Sequence, residues 1–137
     1  MTRVFADTGF WIAVTNPRDN LHEKALEVST RLRPMRIVTS EIVLTEVLNA
    51  LAGKGEQLRR AACALIDRIQ STPGAEIVPM TSSAFREALQ RFRRRADKTW
   101  GLTDCTSFLI MEQKGIRDAL SGDRDFRQAG FNALLID

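Results

Sequence analysis

Residues 36–55 of the chain read RIVTSEIVLTEVLNALAGKG, and this stretch contains both kinds of element from which the fold is built. Its first four residues form a short run with β-branched side chains, which is typical of a strand. The apolar residues that follow recur at helical spacing from Ile42 to Leu51, and Gly53 and Gly55 end the helix. A strand followed by a helix that is apolar on most of its surface indicates an α/β unit with a largely buried helix.

The same alternation continues along the chain in both directions. Five strand-like runs occur, at residues 3–6, 36–39, 76–80, 116–120 and 132–136. Apolar residues at helical spacing lie between them, at residues 21–32, 42–51, 58–69, 85–92 and 103–114. Strands that alternate with helices favour right-handed crossovers and a mainly parallel sheet covered on both faces. We therefore predict an α/β fold with a mainly parallel five-stranded sheet, as a single domain over residues 1–137.

The composition is that of an ordinary globular protein, and it excludes several other classes. Of the 137 residues, 44% are hydrophobic and 27% are charged, with a formal net charge of +3. The apolar runs are far shorter than the about 20 residues that a membrane-spanning helix needs. Asp7 interrupts the first apolar run, which argues against a secretory signal. We expect a cytoplasmic protein in which Cys63 and Cys105 are reduced thiols of the core.

The chain has a single histidine, His22, and this limits the chemistry available to it. A zinc site would have to combine His22 with two isolated cysteines and carboxylates, which is not a known ligand spacing. A histidine-activated nucleophile would depend on His22 alone, and the surrounding stretch NLHEK is typical of the exposed first turn of a helix. Any polar chemistry should therefore come from carboxylates.

Four carboxylates are placed where they can meet at one edge of the sheet. Asp7 follows the first strand and Asp123 follows the fourth, so both belong at the carboxyl edge, where open parallel sheets bind ligands. Glu46 lies within the most apolar helix, where a buried charge would need a partner. Asp104 falls in the first turn of the helix that precedes the fourth strand. Taken singly, each acid also has a structural explanation, as a helix-terminal acid, a turn residue or the partner of an arginine.

Together, the four acids predict a site for a divalent metal ion. Like charges in one pocket repel each other and raise the pKa values of the carboxyl groups unless a cation neutralises them. Ligands that are all oxygen favour hard ions such as Mg²⁺ or Mn²⁺. Such ions generate hydroxide and stabilise the leaving oxygen in an in-line displacement at a phosphodiester. Metal-dependent hydrolysis of nucleic acid is the reaction class that this pattern favours.

The order of these motifs resembles that of the PIN-domain ribonucleases, and more narrowly that of the VapC-type toxins of bacterial and archaeal toxin–antitoxin pairs. The resemblance rests on Asp7 after the first strand, on Glu46 in the motif Thr-Glu-x-x-Asn-Ala-Leu, and on Asp104 at the start of a helix. It also rests on the motif Ser121-x-Asp123-x-x-Phe, which follows the fourth strand. The resemblance covers essentially the whole chain.

This resemblance implies a three-layer α/β/α sandwich and an endoribonuclease that depends on Mg²⁺ or Mn²⁺. It further implies an RNA substrate, a homodimer and a cognate antitoxin that blocks the site. By position, it assigns catalytic metal ligation, direct or through water, to Asp7, Glu46, Asp104 and Asp123. Supporting roles fall to Thr8, to Ser121, where the family often has threonine, and to Asp125, whose turn also packs inward.

A basic run is the remaining feature. It comprises Arg86, Arg91, Arg93, Arg94, Arg95 and Lys98. It predicts contacts with RNA phosphates, above all through Arg93 and Arg94, although a solvated helix face has the same pattern. It also supports an alternative function, a non-catalytic basic α/β module that binds nucleic acid or a protein partner and uses its carboxylates only structurally.

Overall fold

The computed structural model describes residues 2–136, and at its centre is a parallel sheet of five strands. The strands are β1 (Thr2–Ala6), β2 (Met35–Ser40), β3 (Glu76–Val78), β4 (Asp118–Leu120) and β5 (Asn132–Ala133). They lie in the order β3-β2-β1-β4-β5, and every neighbouring pair is parallel. The last three residues of β1 are fully buried, as expected for a central strand covered on both faces. The predicted α/β fold with a parallel five-stranded sheet is confirmed.

The helices form two layers. The first contains α1 (Thr8–Thr15), α2 (His22–Arg31), α3 (Glu41–Leu51) and α4 (Glu56–Ser71), which pack against one another. The second contains α5 (Ser82–Arg94), α6 (Leu102–Lys114) and α7 (Arg124–Gln128), with α6 in contact with both of the others. Within residues 2–136, no helix combines the length and the apolar character needed to cross a membrane. The prediction of one domain over residues 1–137 includes Met1 and Asp137, which lie outside the described residues, and it stays a prediction.

Three strands are shorter than the sequence pattern predicted, and in each case a backbone N–H group is hydrogen-bonded outside the sheet. The N–H of Met80 donates to Glu41 Oε1 (2.8 Å), which takes the chain out of the sheet after Val78. The N–H of Ile116 donates to the Met111 carbonyl (2.9 Å), so this residue belongs to the turn that caps the C-terminus of α6. In β5, the chain turns after Ala133, whose carbonyl accepts the N–H of residue 136 (3.2 Å).

Two helices were not predicted. Helix α1 follows β1 directly and buries Phe10, Trp11 and Ala13, so it is apolar on most sides and has no amphipathic period to reveal it. Helix α7 is only five residues long, too short for a periodic pattern.

Several expectations about burial are wrong. Cys63 is exposed on α4, next to the buried Ala62, whereas Cys105 is buried as predicted. Glu46 is exposed, because α3 buries only one side of its surface. His22 is half-buried, and its Nδ1 lies 2.6 Å from the carbonyl oxygen of Ala13, so it packs onto α1 instead of facing solvent freely.

A chain of buried hydrogen bonds fixes α1 to the middle of the sheet. Trp11 Nε1 donates to Thr39 Oγ1 (3.1 Å), and this hydroxyl donates to the carbonyl of Ala6 (2.9 Å). All three residues are buried. Losing one partner of a buried hydrogen bond costs about 1–3 kcal/mol. These two bonds therefore help to hold α1 in place against β2. The start of α1 carries Asp7 and Thr8.

Candidate active site

The carboxyl ends of β1 and β4 bring two of the predicted acids together. The N–H of Asp7 donates to the carbonyl of Leu120 (3.1 Å), which joins the two strand ends. Ser121 is fully buried, and its Oγ donates to Asp7 Oδ2 (3.0 Å) while accepting the N–H of Asp123 (3.0 Å). A single hydroxyl therefore connects the carboxylate of Asp7 to the turn that carries Asp123.

Asp104 lies at the same turn and forms a cluster with two other acids. One carboxylate oxygen from each of Asp104, Asp123 and Asp125 lies within 4.8 Å of the others. Asp104 Oδ2 also accepts the N–H of Gly101 (3.1 Å), and Asp123 Oδ1 accepts the N–H of Asp125 (2.9 Å). Both bonds fit acids that only cap a helix or stabilise a turn. A carboxylate can accept about four hydrogen bonds, however, so each acid keeps lone pairs that are free for a metal ion. The structural role and a metal-binding role are therefore compatible.

Glu46 reaches this edge from the second turn of α3. The hydroxyl of Thr8 donates to Glu46 Oε1 (2.7 Å), and the hydroxyl of Thr103 donates to Glu46 Oε2 (2.8 Å). Thr8 directly follows Asp7 in the chain, and Thr103 directly precedes Asp104. Each oxygen of the Glu46 carboxylate is thus tied to an element that carries another acid of the site.

Burial and repulsion by neighbouring carboxylates raise the pKa values of three of these acids, Asp7, Asp104 and Asp125. Burial raises the pKa of Asp7 to about 6, although the hydroxyl of Ser121 opposes this effect. Burial also raises the pKa of Asp104 to about 7, and the negative charge of Asp123 adds to the shift. The pKa of Asp125 is raised as well, by burial and by the charge of Asp123. A nearby positive charge would lower these pKa values and favour the ionised carboxylates.

The donor set fits a hard divalent cation. Three carboxylate oxygens from different residues are close enough to contact one ion, and all are hard oxygen ligands. The raised pKa values of Asp7 and Asp104 are an independent sign that positive charge would be favourable here. Asp125, predicted only as a supporting acid, belongs to the central group of three.

Two of the six residues in the predicted basic run form ion pairs within the protein. Arg91 donates two hydrogen bonds of 2.7 Å to Glu112 on α6, and Arg95 pairs with a neighbouring aspartate at 3.0 Å. Arg93 and Arg94 are exposed in the last turn of α5. The connection of residues 95–101 leads from this turn to the start of α6.

Sequence reasoning missed one polar residue of the site, Thr103. The available signal was its position, directly before Asp104 in the first turn of a helix. Its partner, Glu46, is 57 residues away in the chain, so the sequence pattern gave no indication of the bond.

Comparisons with known proteins agree with this architecture. The family model for the PIN domain matches residues 4–132, a range that includes all five acids. Two relatives from Mycobacterium tuberculosis, strains CDC 1551 / Oshkosh and ATCC 25618 / H37Rv, are both named 23S rRNA-specific endonuclease VapC20. Each is 33% identical over 131 residues, which cover 93% of this chain and 95% of the relative. The crystal structure of Mycobacterium tuberculosis VapC20, described as a Sarcin-Ricin loop cleaving toxin, has a TM-score of 0.82 at 30% identity and covers 93% of this chain and 95% of its own.

Proposed function

The chain belongs to the PIN-domain family, and from this membership and its acidic site we propose that it is a divalent-metal-dependent endoribonuclease, the toxin of a toxin–antitoxin pair. The observation that carries the proposal is the meeting of Asp104, Asp123 and Asp125 within 4.8 Å, beside the buried Asp7. The names of the relatives support RNA as the substrate, and ribosomal RNA is the class that we propose to test first.

In this proposal, the acids hold Mg²⁺ or Mn²⁺ directly or through water. Asp104, Asp123 and Asp125 supply the closest group of oxygens, and Asp7 and Glu46 complete the site. When bound, such an ion lowers the pKa of a water molecule and stabilises charge on the leaving oxygen of a phosphodiester.

The chain itself contributes orientation. Ser121 holds the carboxylate of Asp7 by its hydroxyl, and the N–H of Gly101 fixes one oxygen of Asp104. Glu46 is exposed, so the site is open on the side where an RNA backbone would approach. An open site suits a long polymeric substrate, which cannot enter a closed cavity.

The test is an RNA cleavage assay with the purified protein. Incubation of ribosomal RNA with Mn²⁺ or Mg²⁺ should give cleavage at defined positions, and excess chelator should abolish it because the carboxylates need the cation. Gel separation of end-labelled RNA measures both outcomes. RNA that is bound but uncut under every metal condition would favour the alternative, a non-catalytic basic module.

A cognate antitoxin is also part of the proposal, and a second surface supports it. A groove of about 980 Å³ lies between α1, α2 and α4, away from the acids. Its apolar lining includes Leu26 and Leu65, and its cationic lining includes Arg33 and Arg68, both exposed. Apolar and positive side chains together suit an amphipathic helix with acidic residues, which is the antitoxin segment that we propose for this groove.

A homodimer and a cytoplasmic location complete the proposal. Phe85 and Phe92 are 45% and 48% exposed on α5 and are spaced to share one face of that helix. Exposed aromatic side chains on one face of a helix form an apolar patch, which we propose is covered by a second copy of the protein. The cytoplasm is where the proposed RNA substrate is found.

Arg93 and Arg94 are proposed to contact RNA phosphates. The double variant Arg93→Gln/Arg94→Gln should weaken RNA binding about equally for different sequences, because phosphate contacts position a strand without reading it. The log–log salt dependence should also become less steep, by roughly 0.7 for each phosphate of a single strand that the protein no longer neutralises. Measuring RNA affinity at two salt concentrations decides this point.

The matched control is Arg33→Gln/Arg68→Gln, which removes the same charge from the groove. This control should leave RNA affinity unchanged and weaken binding of an amphipathic acidic helix, the antitoxin segment proposed for the groove. If the Arg93/Arg94 variant keeps the salt slope of the unmodified protein, its arginines face solvent or a protein partner instead.

A further inference from the structure

Three hydroxyl side chains in α6 behave in two different ways. Thr106 donates to the carbonyl of Leu102 (2.9 Å), and Ser107 donates to the carbonyl of Thr103 (3.0 Å). Bonds of this type, to the carbonyl four residues earlier, are the local pattern of serine and threonine inside helices. Thr103 lies in the first turn and donates to Glu46 Oε2 instead (2.8 Å). Its hydrogen bond is therefore a tertiary contact and not a by-product of the helix.

Glu46 is a side chain that needs such a contact. It is exposed on α3, so packing leaves its long side chain several rotamers. Its charge also repels the neighbouring carboxylate of Asp7. Both effects favour conformations in which the carboxylate turns away into solvent. The hydroxyls of Thr8 and Thr103 oppose this, one on each carboxylate oxygen.

We propose that Thr103 is a positioning residue that, together with Thr8, holds the Glu46 carboxylate at the metal-binding edge. This inference rests on the proposed metal-dependent function and deepens it. Thr103 is adjacent to Asp104 on the same rigid helix, so its hydroxyl sets the position of Glu46 relative to that acid. A carboxylate oxygen that accepts one hydroxyl still has a lone pair for a cation or its water.

Three substitutions test this role. Thr103→Val removes the hydroxyl and keeps the shape, Thr103→Ser restores the hydroxyl, and Thr103→Ala removes it again in case valine disturbs packing. The matched control is Thr45→Val, next to Glu46 on α3, because the hydroxyl of Thr45 donates only to the backbone carbonyl of Glu41 (2.8 Å).

Two measurements are made on each variant: Mn²⁺ affinity, from the electron paramagnetic resonance signal of free Mn²⁺, and the RNA cleavage rate. Removing a group that orients a metal ligand typically costs about 10- to 100-fold in affinity or activity. We expect a loss in this range for Thr103→Val and Thr103→Ala. Thr103→Ser and Thr45→Val should stay close to the unmodified protein. In a Glu46→Gln background, Thr103→Val should cause no further loss, because the carboxylate that it positions is gone.

Specific outcomes would overturn the inference. Mn²⁺ affinity that is unchanged in both Thr103→Val and Thr103→Ala would do so, as would a Thr103→Ser variant that is as weak as Thr103→Val. A Thr103→Val substitution that reduces Mn²⁺ affinity as much in the Glu46→Gln background as in the unmodified protein would also contradict it. A protein that binds Mn²⁺ but cleaves no RNA would refute the proposed function, and the affinity measurements would still decide the role of Thr103.

Discussion

Replacing Asp104 with asparagine should abolish most RNA cleavage while the protein remains folded. The substitution keeps the shape of the side chain and removes the negative charge from the central group of three acids. Asp7→Asn, Glu46→Gln and Asp123→Asn should act in the same way. The losses should exceed the about 10- to 100-fold that is typical of groups that only orient a ligand.

Two of these variants should also be more stable than the unmodified protein when no metal is present. Burial raises the pKa of Asp7 to about 6 and that of Asp104 to about 7, so at neutral pH each ionised carboxylate destabilises the folded state. A neutral asparagine removes this cost. A higher melting temperature together with lost activity would be the signature of residues retained for function at the expense of stability.

Double substitutions provide a further criterion. Because the ligands act as a unit, Asp104→Asn/Asp123→Asn should lose little beyond either single variant. Asp67→Asn, at an exposed acid on α4, is the matched control and should keep full activity. Near-full cleavage by any two of the four single variants would contradict the assignment of the site. Asp125→Asn should join the inactive group, because the structure places its carboxylate with those of Asp104 and Asp123.

The sequence predicted the positions of the acids better than their surroundings. Asp7 and Asp123 could be placed because strand ends in a parallel sheet share one edge, and this needs only the order of elements. The prediction that Glu46 is buried was wrong, because an apolar helix pattern does not reveal that one side of α3 is exposed to solvent. Asp125 was assigned only a supporting role because its neighbour Phe126 suggested that this turn packs inward. Phe126 is indeed buried, but the adjacent carboxylate of Asp125 belongs to the acidic cluster.

The features that the sequence did not predict depend on long-range contacts. The bond between Thr103 and Glu46 joins two helices that come together only in the folded chain. The chain of bonds from Trp11 through Thr39 to Ala6 likewise depends on the packing of α1 against β2. Local patterns predict elements and their order, whereas the bonds that hold a catalytic carboxylate in place form between elements that local patterns treat separately.

Millimolar Mn²⁺ or Mg²⁺ should raise the melting temperature of the protein, and the increase should be larger at pH 8 than at pH 5.5. The cation binds only the folded state, and a concentration about 100 times Kd stabilises that state by about 2.7 kcal/mol. For a domain of this size, that corresponds to an increase of about 10 °C. Differential scanning calorimetry at the two pH values measures the effect.

The pH dependence follows from the direction of the pKa shifts. The pKa of Asp7 is about 6 and that of Asp104 about 7 in the folded protein, against an ordinary value of 3.8. Between about pH 4 and pH 7 the folded state therefore holds more protons than the unfolded state, and without metal the free energy of unfolding falls as pH rises through this window. Metal binding needs the ionised carboxylates, so it displaces these protons below pH 7 and strengthens as pH rises.

His22→Ala is the control for this experiment. It removes the contact with the Ala13 carbonyl and should lower the melting temperature with and without metal, yet leave the metal-dependent increase unchanged. Asp104→Asn/Asp123→Asn should lose most of the increase, because it removes two of the three clustered carboxylates. If His22→Ala abolished the increase, or if the increase were larger at pH 5.5, binding would not depend on the carboxylates. A site built only from oxygen ligands needs both results: independence from the histidine and strengthening as the acids ionise.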